Sequence, residues 1–288
     1  MPPKAHRPLP PERVLAETPA PLIADADATH AAQCARVCQG IREGEFSLAY
    51  QPIVDVRAGT AVGAEALLRW RHPQHGWLRP GAFAQVLHQP DVARAVTAFV
   101  IERIAADRAA LPVAHRHKFV SFNAWPSQLE DGELERLVTT HYLARGGAPE
   151  VLMIELLESG PHVAGDELAM PVEALRKMGL KVAIDDLGCG AWTLLDLAHF
   201  EVDAVKLARE LICRLPASDA AQHVVTGTLQ ILKALGTQAI VEGIETPEQV
   251  AWAATVPHLW AQGYAFARPM PDLAGAIGWA QSTAETND

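Results

Sequence analysis

Disulfides, membrane spans and an excess of positive charge are all missing from this chain, and each absence closes off a class of protein. Its four cysteines, Cys34, Cys38, Cys189 and Cys213, offer no disulfide framework, so a reducing cytoplasm is the simplest compartment. Cys34 and Cys38 stand one helical turn apart, but without a second pair they make at most half a metal site. No apolar run approaches the ~20 residues that cross a bilayer, and the N-terminus has no signal-peptide pattern. A formal net charge of -10 argues against a general binder of duplex nucleic acid or of membrane surfaces. Bound cations can still reverse the field locally for an anionic substrate. No Gly-x-Gly-x-x-Gly follows the first strand pattern, which counts against a doubly wound sheet, the second-choice fold. What remains is globular: 49% hydrophobic and 20% charged, enough for one large core or two modest ones.

Residues 1–30 are rich in Pro and Ala and poor in large apolar residues, which predicts a disordered tail, with the ordered domain spanning 31–288. A short helix is expected over Thr29 to Glu43. Phe46 to Val56 and Ala61 to Trp70 read as strands joined by a Gly-containing link, an antiparallel hairpin. Helical patterns over Gly81 to His88 and Asp91 to Ala110 then lead into a strand at Phe119 to Ala124. Helix at Ser127 to Leu143 precedes a strand at Val151 to Leu157, and helix at Asp166 to Met178 precedes one at Val182 to Leu187. Thr193 to Ala198 leads to a strand at Ala204 to Leu207, and a helix N-capped by Ser218 runs to Leu235 ahead of Ala239 to Ile244. Pro247 to Thr255 precedes Trp260 to Phe266, and a last helix covers Leu273 to Gln281. Strands alternating with helices at this spacing are parallel, and eight of them in about 250 residues is the size of a (β/α)8 barrel. The fold class is therefore α/β, a TIM-like barrel with an antiparallel first strand.

The strand at Val182 ends in Asp185-Asp186, followed by Gly188-Cys189-Gly190. An isolated Asp-Asp is most often a solvated turn. Every strand from the second onward, however, carries a polar residue in or beside its apolar run: Glu65, Asn123, Glu155, Asp185 with Asp186, Lys206, Glu242 and Gln262. Unpaired, each would cost several kcal/mol in desolvation. Convergence on one site at the strand ends of a barrel satisfies them together. Carboxylate and amide oxygens without His or Cys suit hard ions, Mg²⁺ or Mn²⁺.

At these residues the chain resembles the EAL-domain family of cyclic-di-GMP phosphodiesterases. The resemblance runs from about Glu45 to Pro271. It is carried by Tyr50-Gln51-Pro52-Ile53-Val54, Glu65-Ala66-Leu67-Leu68-Arg69-Trp70, Asp185-Asp186, Glu242-Gly243-Ile244-Glu245-Thr246, Gln262-Gly263-Tyr264 and Arg268-Pro269. It implies bacterial second-messenger signalling and a barrel with an antiparallel first strand. It also implies two Mg²⁺ or Mn²⁺ ions that open cyclic di-GMP to linear pGpG by in-line attack of water. Glu65, Asn123, Glu155 and Asp185 would hold one ion, and Asp185 would bridge to a second bound with Asp186 and Glu242. Lys206 would contact the attacking water and Gln262 would orient bound waters. Glu65, Lys206, Glu242 and Gln262 are thus the catalytic set, with Gln51, Leu67 and Arg69 on the substrate and Glu158 and Glu245 anchoring the loop after Asp186.

The chain also departs from the family pattern. Leu187-Gly188-Cys189-Gly190-Ala191-Trp192-Thr193 stands where Phe-Gly-Thr-Gly-Tyr-Ser-Ser is usual. Leu157 replaces a Thr before Glu158. Lys206-Leu207-Ala208 lacks the carboxylate of Lys-Ile-Asp, and Val86-Leu87-His88 stands for Leu-Ala-Glu. A Ser near Asn123 is missing, with Trp125 close by. The ligands survive while their supporting groups thin out, which weakens metal binding or activity without abolishing it. The competing reading is a weak or inactive domain acting as a cyclic-di-GMP receptor or protein-docking module. The partners expected are cyclic di-GMP, a second copy in a homodimer and a protein partner. No cyclase signature, membrane span or sensory domain is visible.

Overall fold

Two-residue alternation dictates how this barrel is filled. In the computed structural model, which describes residues 30–157, 165–190 and 192–281, the strands are β1 (Phe46–Asp55), β2 (Thr60–His72), β3 (Gly76–Leu78), β4 (Phe119–Ala124), β5 (Leu152–Leu156), β6 (Lys181–Leu187), β7 (Ala204–Leu207), β8 (Gln238–Val241) and β9 (Trp260–Ala261). They form a single sheet in the order β1-β9-β8-β7-β6-β5-β4-β2-β3, closed by a β1–β2 pairing, so all but β3 make the barrel. β1 is antiparallel to both neighbours, and β2 and β4 through β9 run parallel around the rest; β3 pairs antiparallel with β2 outside the barrel.

Ile53, Phe119, Met153, Ala183, Ala204 and Ile240 pack together inside the lower barrel, with Val62 and Trp260 against them. The strand residues between them, among them Val120, Ile154, Val182, Val205 and Val241, join the larger core between sheet and helices. Side chains two apart on a strand share a face. The residues two beyond Met153, Ala183, Ala204 and Ile240 therefore point into the upper barrel, and they are Glu155, Asp185, Lys206 and Glu242. The lower plug is tight: Phe119 stacks on Trp260 at 5.4 Å, and a Cβ on Gly63 would fall 2.6 Å from the Phe119 ring.

The helices are α1 (His30–Glu43), α2 (Ala84–Leu87), α3 (Pro90–Ala109), α4 (Glu133–His141), α5 (Gly165–Lys177), α6 (Asp196–His199), α7 (Arg209–Ile212), α8 (Asp219–Leu235), α9 (Pro247–Ala254) and α10 (Leu273–Ile277). Ser218 caps α8 as expected, accepting from the Ala221 amide. The Thr246/Gln249 capping box starts α9. Elsewhere the boundaries differ from the sequence pattern. The segment 81–88 is a 3₁₀ turn (Pro80–Ala82) followed by one turn of α-helix. The segment 127–143 is broken by Gly132 at φ +64°, between a 3₁₀ run and α4. The last strand ends at Ala261 rather than Phe266, because the chain turns back on itself there, with the Phe266 and Ala267 amides donating to the Gly263 carbonyl at 3.1 Å. β3 was not expected from the sequence: three residues are too few for a pattern. Residues 1–29 of the tail expected over 1–30, and Glu158, lie outside the described residues, and His30 begins α1.

Candidate active site

Lys206 sits at the centre of the upper barrel, 1% exposed. Its ammonium lies 2.6 Å from Glu242 Oε1, 2.8 Å from Glu155 Oε2, 2.9 Å from Asp185 Oδ1 and 3.3 Å from Glu65 Oε2. Glu65 also accepts from Asn123 Nδ2 (3.0 Å) and Gln262 Nε2 (2.8 Å). Gln262 Nε2 further reaches Gln51 Oε1 at 3.1 Å, and Gln51 donates to the Ala267 carbonyl at 3.0 Å. Strands β1, β2, β4, β5, β6, β7 and β8, together with the turn after β9, thus each bring one polar group to a common point.

Adjacent Asp185 and Asp186 should face opposite ways along a regular strand. They do not, because Asp186 takes a left-handed φ of +54° within a register shift between Ile184 and Leu187. Asp is among the few side chains that tolerate this conformation, and a bulge re-aims a side chain at a strand end. The result brings one oxygen each of Asp185, Asp186 and Glu242 within 4.8 Å of one another.

The electrostatics are lopsided. Burial opposes the Lys206 charge, but its carboxylate neighbours outweigh it and hold the ammonium protonated well above its ordinary range. Burial pushes Glu155 well up despite Lys206, and pushes Glu242 up to about 8. Burial, reinforced by Asp185, raises Asp186 to about 6. Only Glu65 is lowered on balance, since Lys206, Gln262 and Asn123 together overcome its burial. One ammonium cannot neutralise this many acids. The oxygens left over point the same way: Asn123 Oδ1, Glu155 Oε1 and Gln262 Oε1 are buried without a hydrogen-bond partner. All three are acceptors, and oxygen acceptors beside surplus carboxylates fit hard divalent cations.

Above this floor opens a cleft of about 620 Å³, lined in part by Gln51, Glu65, Asp185, Lys206, Glu242 and Gln262. Its rim adds Arg79, Arg209, Tyr264 and Arg268, which the sequence reading did not place among the site residues. Only the Arg268-Pro269 and Gln262-Gly263-Tyr264 motifs hinted at two of them. Arg268 lies over the Tyr264 ring at 4.4 Å. Leu67 is half-buried, two residues beyond Glu65 on the same face of β2. Arg69 is 4% exposed and donates to the Leu68 carbonyl, set back from the cleft surface. Glu245, expected to anchor the loop after β6, lines the cleft and pairs with Arg209 at the start of α7 (3.2 Å).

That loop has its own contacts. Gly188, at φ +104°, packs on Leu211, and Cys189 Sγ donates to Glu210 Oε2 at 3.1 Å. Trp192 is 6% exposed and meets Phe200 edge-on at 6.3 Å, its indole N–H buried without a partner. Ala208 is fully buried at the N-cap of α7, where no side chain caps the helix.

Fold and site define a TIM-like barrel protein that gathers its polar groups at the C-terminal strand ends beneath an open cleft. The chain belongs to the EAL domain family, whose model matches residues 35–269. It is 32% identical over 238 residues to the cyclic di-GMP phosphodiesterase RocR of Pseudomonas aeruginosa, a match that covers 83% of this chain and 61% of RocR. It is 30% identical to the probable cyclic di-GMP phosphodiesterase PdeN of Escherichia coli, with 82% of this chain and 45% of PdeN covered. It therefore spans about half the length of these relatives. Among solved structures, the PaMucR phosphodiesterase in complex with c-di-GMP superposes with a TM-score of 0.76 at 28% identity, covering 83% of this chain and 97% of that one. A calcium and c-di-GMP complex of BlrP1 from Klebsiella pneumoniae gives 0.68 at 27% identity, covering 78% and 56%.

Proposed function

We propose that this protein hydrolyses cyclic di-GMP to linear pGpG with the help of two divalent cations, Mg²⁺ or Mn²⁺. The observation that carries the reading is the cluster of buried, under-partnered oxygens around Lys206 beneath a cleft with an arginine rim. Glu65, Asn123, Glu155 and Asp185 would hold one ion, and Asp185, Asp186 and Glu242 the other. Such a pair activates water and stabilises charge on the attacking and leaving oxygens of a phosphodiester. The chain's own residues do the rest. Lys206, kept protonated by its carboxylates, places a fixed positive charge and hydrogen-bond donors at the reacting centre. Gln262, held by Glu65 and Gln51, presents its carbonyl oxygen to orient water. The barrel floor, sealed by Phe119 and Trp260, excludes solvent from below. Gln51 and Leu67 meet the substrate along one wall. The cytoplasm, where this second messenger acts in the family, is the proposed compartment.

A second reading, a cyclic-di-GMP receptor with little turnover, is favoured by the loop after β6. There Trp192 is consumed in packing, and Ala208 offers no carboxylate beside Lys206. Purified protein incubated with cyclic di-GMP and Mg²⁺ or Mn²⁺, with pGpG followed by chromatography, separates the two. Turnover that falls at least about 100-fold in Glu65→Ala supports the enzyme, since removing an interaction with the reacting centre costs about 2.7 kcal/mol or more. Binding without turnover supports the receptor. Neither binding nor turnover leaves a protein-docking module.

A further inference from the structure

Gln262 can turn either end of its amide toward the carboxylate cluster, and its neighbours decide which. Its backbone is pinned: the amide donates to the Val241 carbonyl at 2.9 Å, and the carbonyl accepts from the Ile244 amide at 3.2 Å. Only the side chain is left to choose. The two ends of a carboxamide are nearly alike in shape, so hydrogen bonding alone tells them apart.

Gln51 makes that distinction. On β1 it stands directly opposite Glu65 of β2. Gln262 Nε2 donates to both, at 3.1 Å to Gln51 Oε1 and 2.8 Å to Glu65 Oε2. The orientation of Gln51 is itself set from outside the cluster. Its Nε2 donates to the Ala267 carbonyl at 3.0 Å, and a carbonyl can only accept. The Gln51 oxygen therefore faces Gln262, where only a donor fits. By elimination Gln262 Oε1 is the atom left over, and it is buried with no partner. Both glutamines are buried, so a flipped amide would set two oxygens face to face with no water to relieve them. The segment that holds Ala267 is tied to β1 in turn, because Tyr50 and Met270 exchange two backbone hydrogen bonds of 2.7 Å.

This inference rests on the proposed function. In that reading Glu65 holds an ion, so its carboxylate is shared, whereas Gln51 is no ligand and keeps its hold on Gln262. We propose that Gln51 is a positioning residue that locks the Gln262 amide with its oxygen toward the reacting centre. The lock is fastened to the segment that carries Arg268 on the cleft rim. This role is distinct from the place of Gln51 on the substrate wall, because it acts through Gln262.

The test is a double-mutant cycle on turnover of cyclic di-GMP in Mg²⁺, with Q51M, Q262L and Q51M/Q262L, run below the melting temperatures of all four proteins. Met keeps the length of Gln51 but neither of its hydrogen bonds. Q51M is expected to lower kcat about 2–10-fold, the range for one neutral hydrogen bond. In the Q262L background the same change should cost nothing further, because the residue it acts through is gone. Q51E should recover part of the loss. Beside Glu65 its carboxyl is held protonated, so one oxygen accepts from Gln262 while the other donates to Ala267. A second readout needs no turnover. In the Mg²⁺-loaded protein the Gln262 side-chain amide protons, assigned in NMR spectra by their absence in Q262L, should exchange slowly in the wild type and Q51E and faster in Q51M. Where Q262L leaves too little turnover to compare, this exchange decides. Equal losses from Q51M in both backgrounds, or a raised KM at unchanged kcat, overturn the inference and leave the proposed function standing. So do Gln262 amide protons indifferent to Q51M. A wild type without turnover overturns the proposed function, and this inference with it.

Discussion

At the scale of single residues, the decisive placement is Lys206. A lone lysine between apolar residues in Val205-Lys206-Leu207 has no local partner in the sequence. The barrel supplies four, from β2, β5, β6 and the residue after β8. Removing one member of a buried ion cluster leaves charge uncompensated, at a cost of about 3–5 kcal/mol. Lys206→Met should therefore lower the melting temperature in metal-free buffer as well as abolish turnover, and divalent ions should return part of the lost stability but not the activity. Thermal melts with and without Mg²⁺, beside the pGpG assay, check both. A K206M protein as stable as the wild type without metal would mean the acids are already neutralised by protons. The placement of Glu155 was equally legible, since it lies two steps beyond Met153 on the same strand face. Arg79 was not legible, because its position depends on a three-residue strand.

At the scale of elements, one carboxylate joins α1 to the barrel beside the apolar packing of Val37. Glu45 accepts from Arg36 Nη2 (2.7 and 2.9 Å) and from Trp70 Nε1 (2.8 Å). Trp70 in turn stacks on Phe46 at 4.9 Å. Burial alone would raise the Glu45 pKa, but the Trp70 and Arg36 contacts outweigh it and hold it below its ordinary 4.5. A depressed carboxylate contributes stability that is complete above the unfolded pKa and lost as pH falls through the folded one. Glu45→Gln should thus melt lower than the wild type near neutral pH, by about 1–2 kcal/mol of stability. The gap should close on acidification below 4.5. Melts of both proteins across that range decide it, and a gap that persists in acid would assign the loss to packing instead. The loop after β6 carries the opposite lesson. Its sequence reads as a loss of polar side chains, whereas the structure gives Trp192 a seat against Phe200 and Cys189 a partner in Glu210. Truncating Trp192 to restore a family-like Ser would open a cavity beside the site.

At the scale of the whole molecule, the net charge of -10 and the arginine rim belong to one design. Carboxylates line the floor of the cleft and guanidiniums its rim, an arrangement that suits the proposed cations and phosphodiester at neighbouring positions. A ligand that binds only the folded state stabilises it by RT ln(1 + [L]/Kd), about 2.7 kcal/mol at a hundredfold excess over Kd. Saturating Mg²⁺ or Mn²⁺ should therefore raise the melting temperature of the EDTA-treated protein by roughly 5–10 °C for a domain of this size. Asp185→Asn should remove most of that rise. A melting temperature indifferent to both ions would exclude the acid cluster as a metal centre.

The sequence alone determined the barrel and its polar lining. Strand alternation is a local, period-two signal, and a charged residue set two places from an apolar one must share its face wherever the strand is placed. Three things waited for the tertiary structure. Both aspartates reach the site only because Asp186 turns left-handed within a register shift. Arg79 meets Arg69 only through the β2–β3 register. Trp192 fills the core only because Phe200, eight positions on, returns against it. Each depends on a backbone conformation or a contact between segments, and neither is written in the order of residues along one strand.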